Sequence, residues 1–232
     1  APLPSYREAL EAFQAERAAG KGPKVNAEDR AIMDGAAADL AAAMPNPGIQ
    51  VGEVAPGFAP TNARGETVRL ADLLAEGPVV LIFYRGAWCP YCNLHLHGLS
   101  EALPLIEAEG ARLVAVTPQL PDKSRTQVEK DGYPFEILSD LDNRVMSAYG
   151  LYFEVPVELS RVYKERLALD LADYNGPGRY VLPVPGTYVI DSTGRVRMAF
   201  ADTGLPRGSR RQQTRPEHKA QSGFHVSLEV TR

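Results

Sequence analysis

The chain has 232 residues, long enough for one sizeable domain with appendages, and its 44% hydrophobic and 23% charged residues make an ordinary globular balance. A net charge of −4 supplies neither a chain-wide basic field for nucleic acid nor an acidic tract. No apolar run approaches the roughly 18 residues of a membrane span, and Ala1-Pro2-Leu3-Pro4-Ser5 lacks a basic segment followed by an apolar one. A soluble, cytoplasmic protein with no nucleic-acid or membrane partner is therefore expected. The chain begins without Met, so a leader removed ahead of this numbering stays open. Only two cysteines occur, two residues apart, which excludes a disulfide-stapled scaffold.

Residues 5–44 read as helical. Ser5 and Glu8 have capping-box spacing, and Tyr6, Leu10 and Phe13 fall on one face. A turn from Gly20 to Pro23 separates this helix from a second, starting at Asn26, that carries Ile32, Ala36, Leu40 and Met44 inward until Pro45-Asn46-Pro47-Gly48 stops it. This N-terminal helical arm, residues 1–48, is expected to pack on the main domain or on a second copy of the chain, which leaves a homodimer open.

The main domain is placed at 49–203. Val79 to Tyr84 is a continuous apolar run after Gly77-Pro78, as a strand buried on both faces requires. A helix follows from Pro90 through Leu96, Leu99, Leu103 and Ile106, with a kink expected at Pro104. Next come a strand at Leu113–Val116, a helix near Ser124–Lys130, a strand at Phe135–Leu138, a short helix at Asn143–Tyr149 and a single helix over 157–173. Thr187 to Asp191 then pairs with Val196 to Phe200 as a hairpin. Alternating elements imply an α/β sheet. Residues 204–232 carry six basic and two acidic side chains and few apolar ones, and are expected to form a basic, poorly ordered tail with a helical period only near Phe224–Leu228.

The chemistry lies in Phe83-Tyr84-Arg85-Gly86-Ala87-Trp88-Cys89-Pro90-Tyr91-Cys92. A buried strand delivers a short loop and then two cysteines around Pro90, which suits a first helical turn because its missing N–H is no loss there. Free backbone N–H groups and the positive end of the helix dipole stabilise a thiolate at Cys89, and Arg85 adds charge of the same sense. The two intervening residues let Cys92 reach the Cys89 sulfur, so a mixed disulfide with a substrate can be resolved within one turn. Trp88 reads equally as core packing or as a shield beside the sulfur.

His95 and His97 follow closely, so a zinc site with Cys89 and Cys92 is the competing reading. With no other cysteine in the chain, no second ligand pair of the usual kind exists, and the strand-to-helix setting favours redox chemistry. No metal or cofactor is called for. A noncatalytic metal-binding or interaction module remains the alternative of another class.

These residues resemble the peroxiredoxin-like branch of the alkyl hydroperoxide reductase and thiol-specific antioxidant family, within the thioredoxin superfamily. Val51-Gly52-Glu53-Val54-Ala55-Pro56-Gly57-Phe58 is similar to the opening segment of peroxiredoxins, Phe83-Tyr84 to the strand before their catalytic loop, and Thr187 to Asp191 to the strand after their catalytic arginine. The resemblance implies a thioredoxin-like fold, a central mixed sheet flanked by helices, and a thiol-based antioxidant activity on hydroperoxide or protein disulfide substrates. It also implies thioredoxin or glutathione as reductant. In the family pattern Cys92 falls at the peroxide-attacking position, Cys89 at a hydroxyl position and Arg85 at a proline. The arginine before the last strand is replaced by Pro185, so two groups that would stabilise the leaving oxygen of a peroxide are missing. The Trp-Cys-Pro-Tyr-Cys run instead resembles thioredoxin and glutaredoxin, Pro90-Tyr91 matching the glutaredoxin centre. By the same resemblance, Pro185 is expected to form a cis peptide bond facing the cysteine pair, leaving backbone groups free for an extended substrate. Two enzyme readings stay open: Cys89 attacks disulfides and Cys92 resolves, or Cys92 attacks peroxide and Cys89 condenses with the resulting sulfenic acid.

Overall fold

The computed structural model describes residues 6–203. The expectations for Ser5 and for the tail at 204–232 lie outside the described residues. In chain order the elements are helices α1 (Tyr6–Ala18) and α2 (Ala27–Ala43), strand β1 (Thr61–Asn62), α3 (Leu70–Glu76), β2 (Val79–Phe83), α4 (Pro90–Ala108), β3 (Arg112–Thr117), α5 (Pro121–Asp131), β4 (Glu136–Ser139), α6 (Arg144–Ala148), β5 (Tyr152–Glu154), α7 (Val157–Leu167), α8 (Leu171–Asn175), β6 (Val181–Pro183), β7 (Gly186–Ile190) and β8 (Val196–Ala201). Among the described residues no helix is long and apolar enough to cross a membrane.

Six strands form one sheet in the order β1-β4-β3-β2-β7-β8, and β5 pairs with β6 apart from it. β2 runs parallel to β3, and β3 to β4, whereas β7 lies antiparallel to β2 and β8 antiparallel to β7. The sheet is therefore mixed, with β2 near its centre. All five residues of β2 are buried. Because successive side chains alternate, Val79, Leu81 and Phe83 enter one apolar layer with Leu138, Tyr149 and Tyr188. Val80, Ile82 and Tyr84 enter the opposite layer with Leu96, Leu103 and both cysteines on α4. Burial on both faces is why the strand reads as an unbroken apolar run. Truncating Ile82 to Ala costs about 2–5 kcal/mol by this burial.

Local signals account for the boundaries. Asn26 caps α2 by accepting the Asp29 N–H at 2.7 Å. Gly132 ends α5 at φ +69°, a left-handed conformation glycine adopts freely, and its N–H closes on the Val128 carbonyl. α4 runs through Pro104, which is exposed, without a break. The single helix expected over 157–173 is instead two. Ala168 turns left-handed at φ +51°, and Asp170 starts α8 by accepting the Ala172 N–H at 3.1 Å. Asp170 is a capping residue type in a stretch whose apolar spacing continues across it, so the pattern alone does not show the break. The sequence reading does not anticipate β1, α3, β5 and β6; β1, β5 and β6, of two or three residues, are too short to show an alternation.

The arm lies against the main domain. Asp29 of α2, only 2% exposed, takes Arg161 at 3.2 Å and Arg166 at 2.5 Å, both from α7. Met33 and Ala36 pack on the apolar layer beneath α7, and Leu40 and Met44 on the layer beneath the sheet. Ile32 is half-buried, as are Met33, Ala36, Leu40 and Met44.

Candidate active site

The carboxyl end of β2 passes into residues 84–88, and α4 begins at Pro90 with Cys89 as its N-cap. Cys89 and Cys92 are both reduced and both buried, at 2% and 6% exposure. The Cys89 Sγ accepts the Cys92 backbone N–H at 3.4 Å, so the sulfur itself performs the capping that Ser or Asp performs elsewhere. The first turn of α4 holds no acidic side chain, leaving the helix's positive end to this sulfur.

The two thiols are driven apart. The Cys92 thiol donates to the Cys89 sulfur, and Arg85 with the Cys92 and Tyr91 N–H groups adds to the pull against burial, bringing the Cys89 pKa down to about 6. Cys92 moves the other way, well above the ordinary thiol range, because its proton is held by Cys89, because it is buried, and because a second negative sulfur would face the first. At neutral pH Cys89 is the thiolate and Cys92 the thiol. Arg85 is half-buried; burial opposes its charge, but both sulfurs and Tyr163 hold it above its ordinary value. Its Nε has no partner among the described residues.

A buried polar network sets the shape of the loop. The Ala87 N–H donates to Gln119 Oε1 at 3.0 Å, and Asn93 Nδ2 donates to the Ala87 carbonyl at 2.8 Å. Gln119 Nε2 faces the Tyr84 hydroxyl at 3.2 Å and Ser124 Oγ at 3.1 Å; Tyr84 donates to Gln127 Oε1 at 2.8 Å, and Gln127 donates to Asn93 Oδ1 at 3.0 Å. Each member satisfies another, which is the condition for holding polar groups in a core. Gly86, at φ +149°, lets the loop close over Trp88: a Cβ there would meet the indole Nε1 at 2.6 Å. Sequence reasoning missed Asn93, Gln119 and Gln127; Asn93, a polar residue inside the first turns of a helix with an apolar face, was the one local signal available.

Trp88 packs between the cysteine layer and the cluster under α7, its ring 6.2 Å from that of Tyr163. Its indole N–H is buried and has no partner among the described residues. Tyr163 also faces Arg85 and Cys89 electrostatically, and burial raises its hydroxyl pKa. Pro90 occupies the first turn of α4, and the exposed Tyr91 receives the Phe13 ring of α1 edge-on at 5.1 Å. The arm thus touches the residue between the two cysteines.

Pro185 corrects an expectation. The pairing of Phe83 with Gly186 brings it level with Tyr84, at the loop's edge of the sheet, but no cis peptide bond occurs among the described residues. Its carbonyl accepts the Asp202 N–H at 3.3 Å and is therefore not free for a substrate strand. β7 begins at the next residue, where Gly186 pairs with Ala201 of β8, so the backbone at Pro185 is held at the start of a ladder. His95 is half-buried, its pKa lowered by burial, and His97 lies against the Tyr133 ring at 5.2 Å. Among the described residues no group of three or more His, Cys, Asp or Glu is placed to hold a metal ion.

Residues 51–199 match the AhpC/TSA family. The thiol-disulfide oxidoreductase ResA of Geobacillus kaustophilus is 26% identical over 156 residues, 67% of this chain and 71% of its own length. Peroxiredoxin Bcp of Escherichia coli is 29% identical over 106 residues, 46% of this chain and 67% of its own. Peroxidoxin BcpB from Mycobacterium tuberculosis superposes with a TM-score of 0.55 at 21% identity, covering 66% of this chain and 86% of that one. PrxQ of Xylella fastidiosa does so with a TM-score of 0.53 at 16% identity and the same coverage. The mixed sheet with its flanking helices is thus the thioredoxin-like fold of peroxiredoxins. The family match spans more than half of the chain, and the chain therefore belongs to the AhpC/TSA family, as a thiol-based antioxidant oxidoreductase.

Proposed function

We propose that Cys89 is the attacking thiolate and Cys92 the resolving thiol of a dithiol–disulfide cycle acting on disulfide substrates. The observation that carries this reading is the place of Cys89 as N-cap of α4, its sulfur accepting the Cys92 N–H at 3.4 Å; the Cys92 thiol proton and this setting lower the Cys89 pKa to about 6 and hold that of Cys92 above the thiol range. The Cys89 thiolate attacks one sulfur of the substrate disulfide, and the other sulfur leaves and is protonated. Cys92 then loses its proton and attacks Cys89, releasing the second substrate thiol and leaving the Cys89–Cys92 disulfide. Arg85 stabilises the starting thiolate, Trp88 screens it from water, Pro90 starts the helix and Tyr91 borders the approach. Pro185 shapes the sheet edge beside the loop.

The peroxide reading takes its support from the family and from Arg85, whose charge lies by both sulfurs where a leaving oxygen would gain charge. It requires Cys92 to attack, and the displacement of its pKa works against that. Thiol-based members of the family need a thiol reductant. For this chain we assign thioredoxin or glutathione, in the cytoplasm, where such reductants keep cysteines reduced. Residues 49–203 act as the catalytic unit, close to the matched span, with 1–48 as an arm and 204–232 as a tail. The exposed Phe200 on edge strand β8 supports a homodimer.

Stopped-flow oxidation of the reduced protein tests the assignment, with Trp88 fluorescence as signal and with hydrogen peroxide or a protein disulfide as oxidant, in wild type, Cys89→Ser and Cys92→Ser. Accumulation of a mixed disulfide in Cys92→Ser supports disulfide attack by Cys89. Fast peroxide oxidation that survives in Cys89→Ser and vanishes in Cys92→Ser overturns it in favour of a peroxidase.

A further inference from the structure

Cys89 is only 2% exposed, whereas Tyr91, two residues on, is 41% exposed. A thiolate must come within about 3–3.5 Å of the sulfur it attacks, in line with the bond that breaks. A protein disulfide carries a chain on each sulfur, so it cannot make that approach while the groups flanking Cys89 keep their places. Most of those groups are fixed. Trp88 packs between two apolar clusters, Tyr163 belongs to the cluster under α7, and the loop before Cys89 is tied down through Gln119 and Asn93.

Tyr91 is covered differently. The Phe13 ring stands edge-on to it at 5.1 Å, and Phe13 belongs to α1, which packs on α4. Of the side chains at 8–18 only Leu10 and Phe13 are half-buried, three residues apart on one face, and the others are exposed. A helix of 13 residues is marginal by itself in water, so this narrow apolar edge is chiefly what keeps α1 in place. α2 is held far more firmly: its buried Asp29 is tied to Arg161 and Arg166 of α7, and its Met33 and Ala36 pack on the cluster that also takes Trp88 and Tyr163. Between the two helices, in an exposed stretch, lie Gly20 at φ +82° and Gly22 at φ +135°. Glycine enters and leaves such conformations at little cost, so the arm combines an anchor, a hinge and a lightly seated cover.

Resting on the reading of Cys89 as the attacking thiolate, we infer that α1 is a hinged flap over the redox pair and that Phe13 is its latch, the residue that sets which disulfides reach Cys89. With the latch seated, Phe13 occupies the ground beside Tyr91 that the residue next to a substrate cysteine has to take. A small disulfide, with a few atoms on each sulfur, reaches Cys89 by a shift of side chains alone. A protein disulfide requires α1 to swing out about the two glycines, at the cost of the Phe13–Tyr91 contact. The closed arm therefore slows protein disulfides selectively.

The test is oxidation of the reduced full-length protein by bis(2-hydroxyethyl) disulfide and by insulin, followed by Trp88 fluorescence and free thiols, in wild type, Phe13→Ala, Leu10→Ala and Phe13→Tyr. In Phe13→Ala and Leu10→Ala the insulin reaction is expected to quicken about threefold to tenfold, the range an aromatic pair contributes, while the small disulfide stays within about twofold of wild type. Phe13→Tyr, which keeps the ring, is expected to keep both wild-type rates. An insulin rate that is unchanged in Phe13→Ala overturns the inference, and so does one that falls, which makes Phe13 a substrate contact. A parallel rise with both disulfides overturns it too, as a general loosening of the fold. Oxidation by either disulfide that survives in Cys89→Ser overturns instead the reading beneath it, whatever Phe13 does.

Discussion

The backbone N–H of Cys92 points at the sulfur of Cys89 across 3.4 Å, so one residue of the pair stabilises the other's negative charge before any substrate arrives. The pair takes its asymmetry chiefly from the Cys92 thiol, which donates to the same sulfur: the sulfur that receives the hydrogen bonds becomes the anion and the sulfur that donates keeps its proton. Reaction order follows from this division.

Alkylation by iodoacetamide should therefore rise with pH through about 6, as Cys89 loses its proton, and level off near neutrality. Cys92 should stay unmodified over that interval. Arg85→Met removes a positive charge beside both sulfurs, so the midpoint moves upward and the rate at pH 6 falls by roughly threefold to tenfold. Mass spectrometry of the modified peptide distinguishes the two cysteines.

Gln119→Leu leaves the Ala87 N–H and the Tyr84 hydroxyl short of a partner in the core. The expected loss is about 1–3 kcal/mol in urea unfolding, with a slower Cys89 alkylation rate because the loop is no longer held. Gln119→Glu restores an acceptor for Ala87 and should recover part of the rate.

Gly86→Ala brings a methyl group to 2.6 Å from the Trp88 indole at a φ of +149°, where an L side chain is strained in any case. A shift in Trp88 emission and a loss of about 1–3 kcal/mol are expected, with oxidation of the pair slowed. Unchanged emission would show that the loop does not depend on this glycine.

Asp29→Asn releases the arm from α7. Arg166 first, and Arg161 with it, holds the Asp29 carboxyl below its ordinary range against burial. A depressed folded pKa contributes stability that is complete above the unfolded value of 3.8 and is lost as pH falls through the lower folded value. Wild type should exceed Asp29→Asn in Tm by on the order of 5 °C at neutral pH, and the gap should close below about pH 4. Proteolysis within α1 and α2 should quicken in the variant at neutral pH.

Much of this architecture was readable in order along the chain. The run Val79 to Tyr84 announces a strand with both faces covered, and the hairpin from Thr187 to Phe200 announces its turn at Ser192-Thr193-Gly194-Arg195, because period and turn chemistry act over a few neighbouring residues. Asp170 shows the limit of that reading: a cap inside an apolar pattern split one expected helix in two. Pro185 shows another: no cis peptide bond occurs among the described residues, and its carbonyl is taken by the Asp202 N–H, a partner seventeen residues away that local sequence does not announce.

The sequence by itself determined that two cysteines, separated by Pro90 and Tyr91, follow a buried strand and head a helix, since covalent order and helix geometry allow little else. Only the tertiary structure decided which groups surround them. Gln119 and Gln127 reach the loop from the far end of β3 and from α5, Tyr163 from α7, and Phe13 from the arm. Those meetings depend on strand order and on the packing of whole helices, and a linear pattern carries no record of which distant side chains will share one end of a sheet.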